Sequence, residues 1–214
     1  MILVVGATGF LGGLIVDKLL AKGEKVRALV RTGSAFDRSG VEIARGDMKD
    51  AASLAAACRG VEAVISTANS AQRGGDDNPA TVDLQGNVNL IDAAKKSGVR
   101  QFIFISVSTA DPASPVPLFA AKAKAEDHLR RSGVTWTIIA PHIFMDVWFR
   151  HIIVNAVNGN RPVPLVAGGQ KRHSFIAAND VADFAVAALR HPAAQNQRLV
   201  LGGPAAMSWT DVVA

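Results

Sequence analysis

The stretch Val4-Val5-Gly6-Ala7-Thr8-Gly9-Phe10-Leu11-Gly12 decides the fold, because a short apolar run ends in it and a helical pattern begins in it. The run Ile2–Val5 predicts a buried β-strand. Apolar residues with the spacing of one helix face follow the glycines: Leu14, Ile15, Leu19 and Leu20. The stretch therefore predicts a strand, a glycine-rich turn and a helix, the joint at which α/β proteins bind dinucleotide phosphates.

Each glycine of this joint has a physical task. Gly6 lets the chain turn sharply as it leaves the strand, Gly9 leaves room for a pyrophosphate, and Gly12 lets the helix lie close to the strand. The expected binding residues are Gly6, Thr8, Gly9, Phe10, Leu11 and Gly12. The spacing is G-x-x-G-x-x-G rather than G-x-G-x-x-G, so the alternative is a strand–turn–helix joint that binds nothing.

The composition indicates one globular α/β domain. The chain has 214 residues, of which 49% are hydrophobic and 19% charged, and this is enough for a well-filled core. No apolar run approaches the ~20 residues that span a membrane, so no membrane span is expected. Cys58 is the only cysteine, and a strand that starts at Ile2 leaves no room for a leader peptide. We therefore expect a cytoplasmic protein without disulfides.

The charge balance raises nucleic acid as a partner, because the formal net charge is +5. The basic residues are scattered, however, and the densest groups, Lys122/Lys124 and Arg130/Arg131, are brief. A site for an anionic dinucleotide explains part of the excess equally well. We therefore do not expect nucleic acid to be the partner.

The second predicted strand, Lys25–Val30, ends at Arg31. At this place in dinucleotide-binding domains an acidic residue binds the free ribose hydroxyl of NAD, whereas an arginine suits the 2′-phosphate of NADP. Arg38 is within reach of the same phosphate from the following loop. We expect NADP(H) as the cofactor and NAD(H) as the alternative, and the alternative role of Arg31 is that of a solvated strand-end charge.

Further binding residues are expected where the next two strands end, because ligands of open parallel sheets bind at the carboxyl edge. Asp47 and Met48 follow the short third strand, where they would meet the adenine edge. The residues that follow the fourth strand are Thr67, Ala68 and Asn69. The loop 70–79 is rich in glycine and aspartate, and we expect it to be mobile and able to close over the site.

Strands and helices alternate along the chain, which predicts a doubly wound, mainly parallel sheet of the Rossmann type. A helical pattern covers 82–94, and Gln101–Ile105 is apolar enough for a central parallel strand. We expect a single domain over residues 1–214. Within it, residues 141–214 contribute a small C-terminal substrate lobe that is either naturally short or truncated.

Three helix starts carry capping patterns. Asp50 precedes an alanine-rich helix that runs towards Cys58. Asn179 or Asp180 is expected to cap a later helix. Ser208–Asp211 has the pattern of a capping box at the end of the chain.

Six stretches occur in a recognisable order and spacing: GATGFLG, RALVR, GDMKD, GVRQFIFISVS, KAKAEDHLRRSGVTWTIIAP and FIAANDVADFAVAAL. Together they resemble the NmrA-like branch of the atypical short-chain dehydrogenases/reductases. The resemblance implies a Rossmann fold and an NADP(H) site. It leaves three functions open, because that family contains NADPH-dependent quinone and phenylpropanoid-type reductases, redox-sensing regulators without turnover, and assembly factors of photosynthetic or respiratory complexes.

Lys122 shares a helix face with Leu118 and Leu129, whereas Lys124 lies on the outward face. A lysine on a packing face needs a role, because burial of its charge is costly. The resemblance makes Lys122 the lysine of Tyr-x-x-x-Lys, but Leu118 stands where the family has its tyrosine, and the chain contains no tyrosine. Lys122 is therefore expected to bind the nicotinamide ribose, and to act as the acid itself if burial lowers its pKa.

Other candidates for chemistry follow the fifth and sixth strands. Ser106 is assigned to the cofactor and Ser108 to catalysis, because related reductases orient the substrate carbonyl with a hydroxyl near here; the alternative is that both bind local backbone groups. Pro141 and Phe144 are expected beside the nicotinamide. His142 is expected to act as a general acid in place of the tyrosine, or else to have only a packing role.

The sequence thus predicts an NADPH-dependent oxidoreductase that transfers hydride to a small quinone or conjugated carbonyl. The alternative is a non-enzymatic NADP-binding redox sensor or an assembly factor with a protein partner. Leu118 and the short C-terminal lobe favour that alternative. No clustered His, Cys and carboxylate pattern indicates a metal site.

Overall fold

A computed structural model describes residues 1–71 and 73–214 of the chain. The strands are β1 (Ile2–Val5), β2 (Val26–Val30), β3 (Val41–Arg45), β4 (Ala63–Ser66), β5 (Gln101–Ile105), β6 (Thr135–Pro141), β7 (Arg172–Ser174), β8 (Gln197–Leu201) and β9 (Ala206–Ser208). The α-helices are α1 (Phe10–Ala21), α2 (Ala51–Cys58), α3 (Asn87–Lys96), α4 (Pro117–Arg131), α5 (Met145–Phe149), α6 (Asn155–Asn158), α7 (Ala178–Ala188) and α8 (Trp209–Val213). Two π-helices, Pro79–Gly86 and Arg150–Val154, and two 3₁₀ turns, Val166–Gly169 and Pro192–Ala194, complete the described elements.

Seven strands form one parallel sheet in the order β3-β2-β1-β4-β5-β6-β8, which confirms the predicted doubly wound architecture. β1 pairs with β2 on one side and with β4 on the other, so the strand order reverses beside β1. Such a reversal opens a crevice at the carboxyl ends of the strands, where ligands of this fold bind. The glycine-rich turn that follows β1 lies at this point.

Two apolar cores, one on each face of the sheet, hold the helices in place. One joins Val4 and Ile15 to Val181 of α7, and the other joins Leu3 to Leu54 and Leu90. The central strand β1 is buried along its whole length, as a parallel strand covered on both faces should be.

The inward face of α1 is displaced from the one that the sequence pattern predicted. Ile15, Val16 and Leu19 are fully buried, whereas Leu14 and Leu20 are half-buried at the edge of the same core. Ile15 and Leu19 thus belong to both faces, and Val16 takes the central place. The amphipathic character was predicted correctly, but its centre differs by about one position.

Two helix starts are as the sequence predicted, and two differ from the prediction. The side chain of Asp50 accepts a hydrogen bond from Ala52 N at the start of α2, and Ser208 and Asp211 form the predicted capping box. The helix predicted over 82–94 begins with the π-helix Pro79–Gly86 and continues as α3.

The expected cap of α7 by Asn179 or Asp180 is wrong. Both residues lie inside the first turn, and the N-cap position is taken by Ala177. The helix start is stabilised from outside, because Asp146 Oδ2 accepts a 2.5 Å hydrogen bond from Ala178 N. A cap from a residue so distant in sequence leaves no local pattern.

The last third of the chain returns to the main sheet and also forms a separate small layer. β8 pairs with β6, and α7 packs against α1. β7 and β9 form a two-stranded antiparallel sheet outside the main one. Phe149, Phe175 and Trp209 pack edge to face beside it, with ring centroids 5.0–5.8 Å apart. This aromatic cluster joins α5 and α8 to the residue that follows β7.

Within residues 1–71 and 73–214, no helix is both long enough and apolar enough to cross a bilayer. The same residues contain no group of three or more His, Cys, Asp or Glu side chains placed to hold a metal ion. Cys58 is buried, and burial raises the pKa of its thiol to about 11. It is a small core residue, as predicted.

Candidate functional site

The turn after β1 has the close backbone approaches that its glycines were expected to allow. Gly6 has a φ of +87°, in the left-handed region, and a Cβ atom there would overlap the Thr67 hydroxyl. A Cβ atom on Gly12 would overlap the carbonyl oxygen of Gly6. Only glycine fits at these two positions, because the turn passes close to both β4 and α1.

The N-terminus of α1 is open towards the crevice. Gly9 is its N-cap residue, and no side chain caps the helix. The first amides of the helix, on Phe10, Leu11 and Gly12, have no acceptor within the helix. Thr8 is exposed, and Phe10 is 57% exposed. These free N–H groups and the positive end of the helix dipole suit a pyrophosphate, so the residues present fit a dinucleotide.

A groove that is open to solvent runs from this turn across the carboxyl ends of β1 to β4. Its walls include six of the predicted binding residues: Gly6, Thr8, Arg31, Asp47, Met48 and Ala68. Leu29 and Val82 supply apolar surface, and Arg73 and Asp77 close one side. The structure therefore brings these residues together at the end of the groove where an adenosine would lie.

Arg31 belongs to a charged group that the sequence did not predict. Its Nη1 lies 2.6 Å from Asp77 Oδ2, Lys49 Nζ lies 2.8 Å from Asp77 Oδ1, and Arg73 Nη1 lies 3.5 Å from Oδ2. We call these four residues the Asp77 cluster. The hydrogen bond from Lys49, and the charges of Lys49, Arg31 and Arg73, hold the pKa of Asp77 below its usual value.

The loop that was expected to close over the site does reach it, in the part that is described. Residues 73–78 form a tight turn, in which Asp77 N donates to the carbonyl of Gly74 at 3.3 Å. Asn78 then caps the π-helix through the amides of Ala80 and Thr81. Position 72 of that loop lies outside the described residues. The loop thus brings a carboxylate to the strand end where the local sequence offers only Arg31.

Arg38 does not reach the groove. Its guanidinium donates to the carbonyl of Gly13 at 3.1 Å and pairs with Asp17, so it lies along α1. The structure therefore does not bring Arg38 together with Arg31, and their sharing of a 2′-phosphate stays a prediction. Its place beside Gly13 gives it a structural use instead, since it ties the loop before β3 to the helix.

Lys122 is on the inward face of α4, and Lys124 is exposed, as the helical spacing predicted. Lys122 Nζ donates to the carbonyls of Ala68 at 3.0 Å and Ile105 at 3.2 Å, and lies 4.8 Å from the centre of the Phe104 ring. Burial lowers the pKa of Lys122, and the nearby carboxylates of Asp83 and Glu126 oppose that shift. The lysine therefore joins the ends of β4 and β5 from beneath the crevice.

Asp83 is a partner of Lys122 that the sequence interpretation missed. Its Oδ2 accepts hydrogen bonds from the amide and hydroxyl of Ser70 at 3.0 and 2.6 Å. Its Oδ1 lies 3.4 Å from Lys122 Nζ, an ion pair without a well-formed hydrogen bond. Asp83 and Asn87 lie four residues apart on the buried stripe of one helical segment. A polar residue on an apolar face was the signal used for Lys122, and it applies here as well.

Ser106, assigned to the cofactor, is buried and directed at α4. Its hydroxyl donates to Glu126 Oε1 at 2.5 Å, and Arg198 Nε donates to Glu126 Oε2 at 2.9 Å. Arg198 also donates to the carbonyl of Val107 at 2.9 Å. Glu126 and Arg198 were not predicted. They fix the loop after β5, and the hydroxyl of Ser106 is used within this network.

His142 and Ser108, the other two residues assigned to chemistry, are neighbours at the ends of β5 and β6. Their side chains lie 3.3 Å apart, from His142 Nδ1 to Ser108 Oγ. Both are half-buried, and His142 N donates to the carbonyl of Leu201 at 2.8 Å. Pro141 ends β6, and Phe144 bridges to Ile176. These residues stand apart from the adenosine end of the groove.

Asn69 and Thr67 remain at the edge of the crevice. Thr67 Oγ1 donates to the carbonyl of Val5 at 3.1 Å, which holds the ends of β1 and β4 together. Asn69 is exposed, and its Oδ1 accepts a hydrogen bond from Ala71 N at 3.0 Å. Ala68 contributes its carbonyl to Lys122 and its surface to the groove.

A doubly wound sheet, a glycine turn at the switch point and an uncapped helix start define a dinucleotide-binding protein of the Rossmann class. The model of a family described as NAD(P)H-binding matches residues 6–192. The chain belongs to this NAD(P)H-binding family, among the NmrA-like atypical short-chain dehydrogenases/reductases, and is of the oxidoreductase class.

Two curated relatives illustrate the range of that family. The chain is 33% identical to an NAD(P)H azoreductase of Xenophilus azovorans over 218 residues, which cover 100% of this chain and 72% of the azoreductase. It is 30% identical to the photosystem II assembly factor Ycf39 of Trieres chinensis over 206 residues, covering 94% of this chain and 63% of that factor. This chain therefore spans about two thirds of the length of these relatives.

Solved structures show the same fold. The NADPH-dependent quinone oxidoreductase QOR2 of Escherichia coli, complexed with NADPH, superposes with a TM-score of 0.81. The match covers 99% of this chain and 72% of that one, at 24% sequence identity. At this identity the likeness supports the fold alone.

Proposed function

We propose that the protein is an NADPH-dependent oxidoreductase that reduces a small quinone or a conjugated carbonyl compound. The observation that carries the proposal is the groove, which has the glycine turn at one side and Arg31 at the other. The azoreductase relative, which matches the whole chain, supports a reductase. We place the protein in the cytoplasm as part of this proposal.

The residues that would hold NADPH follow from the groove. The amides of Phe10, Leu11 and Gly12 bind the pyrophosphate, and Arg31 binds the 2′-phosphate. Asp47 and Met48 lie beside the adenine. Bound NADPH supplies the hydride, so the protein has to bind and orient the two reactants and to exclude water.

A proton donor other than tyrosine is needed, because Leu118 occupies that place and the chain contains no tyrosine. His142 is the proposed donor, with Ser108 hydrogen-bonded to its ring and able to orient the carbonyl of the substrate. Lys122 is less suited to donate a proton directly, because two backbone carbonyls and Asp83 surround its ammonium group. Its proposed contribution is to hold the strand ends that lie beneath the nicotinamide ribose.

The test is NADPH oxidation measured against a panel of quinones, enones and azo dyes, with NADPH binding titrated in parallel. Gly9→Asp places a carboxylate where the pyrophosphate is expected, and the atom of the described residues that a Cβ there would meet, its chain neighbours aside, is the Gly6 carbonyl oxygen at 3.2 Å. We expect this variant to fold and to lose NADPH binding and turnover together. Unchanged NADPH affinity in folded Gly9→Asp would contradict the assigned site.

His142→Asn separates chemistry from binding. If His142 donates the proton, turnover falls roughly a hundredfold while NADPH affinity stays the same. Ser108→Ala should have a smaller effect on turnover, because a water molecule can replace its hydroxyl. Full turnover in His142→Asn would remove this residue from the proposed reaction.

A second candidate is an NADP-binding assembly factor without turnover. It is favoured by Leu118 in place of the tyrosine and by the exposed apolar surface of the helical segment 145–158, where Trp148 is 48% and Val157 63% exposed. The Ycf39 relative supports it. NADPH binding without oxidation by any member of the panel would favour this candidate over the reductase.

A further inference from the structure

The Asp77 cluster contains more cations than a surface ion pair requires. Three cations from three separate segments, Arg31 after β2, Lys49 before α2 and Arg73 in the loop, converge on one carboxylate. The side chain of Asp77 is only 11% exposed, although it lies on a loop. An anion is therefore held at the adenosine end of the groove, and that anion is supplied by the protein itself.

The arrangement of this carboxylate matches what a 2′-phosphate would need. Both are oxyanions that accept charge-assisted hydrogen bonds from arginine and lysine. Asp77 already accepts from Arg31 Nη1 and from Lys49 Nζ, at 2.6 and 2.8 Å. Because Asp77 is itself one of the groove-lining residues, a phosphate that approached Arg31 would meet a like charge.

We infer that Asp77 occupies the place of the 2′-phosphate in the free protein, so that NADPH must displace it and NADH need not. This inference rests on the proposed function, in which Arg31 binds the 2′-phosphate. Asp77 is then a determinant of cofactor preference: it weakens the binding of NADPH and has little effect on that of NADH.

The backbone around Asp77 is suited to such an exchange. Gly74 and Gly75 have φ angles of +82° and +62°, and in the part of the chain that the structure describes, their chain neighbours aside, no atom lies within 4 Å of a Cβ atom built on either. The tight turn thus stands clear of the core, and it can move without exposing buried apolar surface. Asn78, which caps the π-helix, fixes its far end. Displacement of the Asp77 side chain exchanges its ion pairs with Arg31, Lys49 and Arg73, whose side chains are partly exposed, and such pairs are weak.

The test uses two small probes that lack the nicotinamide, adenosine 2′,5′-bisphosphate and adenosine 5′-monophosphate, each titrated calorimetrically. They differ only in the 2′-phosphate. In Asp77→Asn we expect the affinity for the bisphosphate to rise by about threefold to tenfold, and that for the monophosphate to change less than about twofold. Asp76→Asn is the matched control, because it removes the same charge from the exposed neighbour in the same turn.

The same substitution made in an Arg31→Ala variant tests whether the effect of Asp77 depends on Arg31. Asp77→Asn should raise the bisphosphate affinity much less when Arg31 is already alanine, since the cation for which the carboxylate and the 2′-phosphate compete is then absent. An unchanged or lower affinity in Asp77→Asn, or an equal rise in Asp76→Asn, would overturn the inference.

The same titrations separate this inference from the function on which it rests. If Arg31→Ala lowers the bisphosphate affinity while Asp77→Asn does not raise it, the 2′-phosphate site stands and only the competition fails. If the parent binds the two probes equally and Arg31→Ala changes neither, the 2′-phosphate site itself fails, and the inference fails with it.

Discussion

Two carboxylates, one that lines the groove and one buried beneath the ends of β4 and β5, hold cations in contrasting ways. Asp77, itself 11% exposed, binds Arg31 and Lys49, whose side chains are 47% and 38% exposed. Asp83 binds Lys122, and the two side chains are 0% and 4% exposed. The first pair lies where the adenosine of the cofactor is expected, and the second lies beneath the ends of β4 and β5.

This contrast in exposure distinguishes an ion pair in which a ligand can replace one partner from an ion pair in which it cannot. An exposed ion pair contributes about 0–1 kcal/mol, so a ligand can replace one partner at little expense. Removal of one partner from a buried pair leaves a charge without solvent or counterion and costs about 3–5 kcal/mol. The Asp77 cluster is therefore suited to binding and release. The Asp83–Lys122 pair is suited to fixing the frame against which a cofactor binds.

The largest effect is expected at the buried pair. Lys122→Ala leaves Asp83 without its counterion and frees the carbonyls of Ala68 and Ile105. We expect it to lower the free energy of unfolding by about 3–5 kcal/mol, measured by urea denaturation. Lys124→Ala, two residues away on the exposed face, should change it by less than about 0.5 kcal/mol.

A double variant shows whether this loss comes from the orphaned charge. Lys122→Met combined with Asp83→Leu removes both charges and fills the space with apolar atoms, so much of the stability should return. If the double variant is as unstable as Lys122→Ala, hydrogen bonds would be the main contribution, namely those of Lys122 to the two carbonyls and those of Ser70 to Asp83. Equal stability losses in Lys122→Ala and Lys124→Ala would contradict the contrast between the two clusters.

Some parts of the site could be predicted from the sequence and others could not. The glycine turn, the strand ends and the inward face of Lys122 depend on local spacing, and the structure has them where the spacing indicated. Asp83 was within reach of the same reasoning, because it shares a buried helical stripe with Asn87 and Leu90. The apolar residues of that segment already predict a helix with one buried face, and Asp83 is a polar exception on that face.

The Asp77 cluster was beyond local reasoning. Arg31 and Asp77 are 46 positions apart, and they meet only because the chain crosses from β3 back to β4 before the loop begins. The sequence near Arg31 indicates a free cation, which the fold then neutralises. The cap of α7 by Asp146 and the contact of Arg38 with α1 were missed for the same reason, since both join separate segments.

A smaller effect is expected at the exposed cluster, on binding rather than stability. NADPH should be preferred over NADH, and Arg31→Asp should lower the ratio of their affinities by about tenfold to a hundredfold. Arg31→Ala should lower it less, because it removes attraction without adding repulsion. Paired titrations of the two cofactors measure the ratio in each variant.

Arg38→Ala is the control for this change, because its guanidinium lies on α1 and not in the groove. It should leave the ratio within about twofold of the parent, as expected for a residue with no contact to the discriminating group. A ratio that follows Arg38 and not Arg31 would show that the loop before β3 rearranges when the cofactor binds. Equal affinities for NADPH and NADH in the parent would contradict the role of Arg31.

The smallest effect is expected from salt, and it acts on one cluster only. The Debye length falls from about 10 Å at 0.1 M to about 3 Å at 1 M, so attraction between exposed charges weakens while that within a buried pair hardly changes. Across this range the ratio of NADPH to NADH affinity should fall by roughly threefold, since only NADPH carries the additional phosphate. The fall should be smaller in Arg31→Ala.

The stability lost in Lys122→Ala should be the same at both salt concentrations, because Asp83 is fully buried. A ratio that does not depend on salt would mean that the 2′-phosphate is recognised away from the exposed cations, and a salt-dependent stability loss would mean that solvent reaches the Asp83–Lys122 pair.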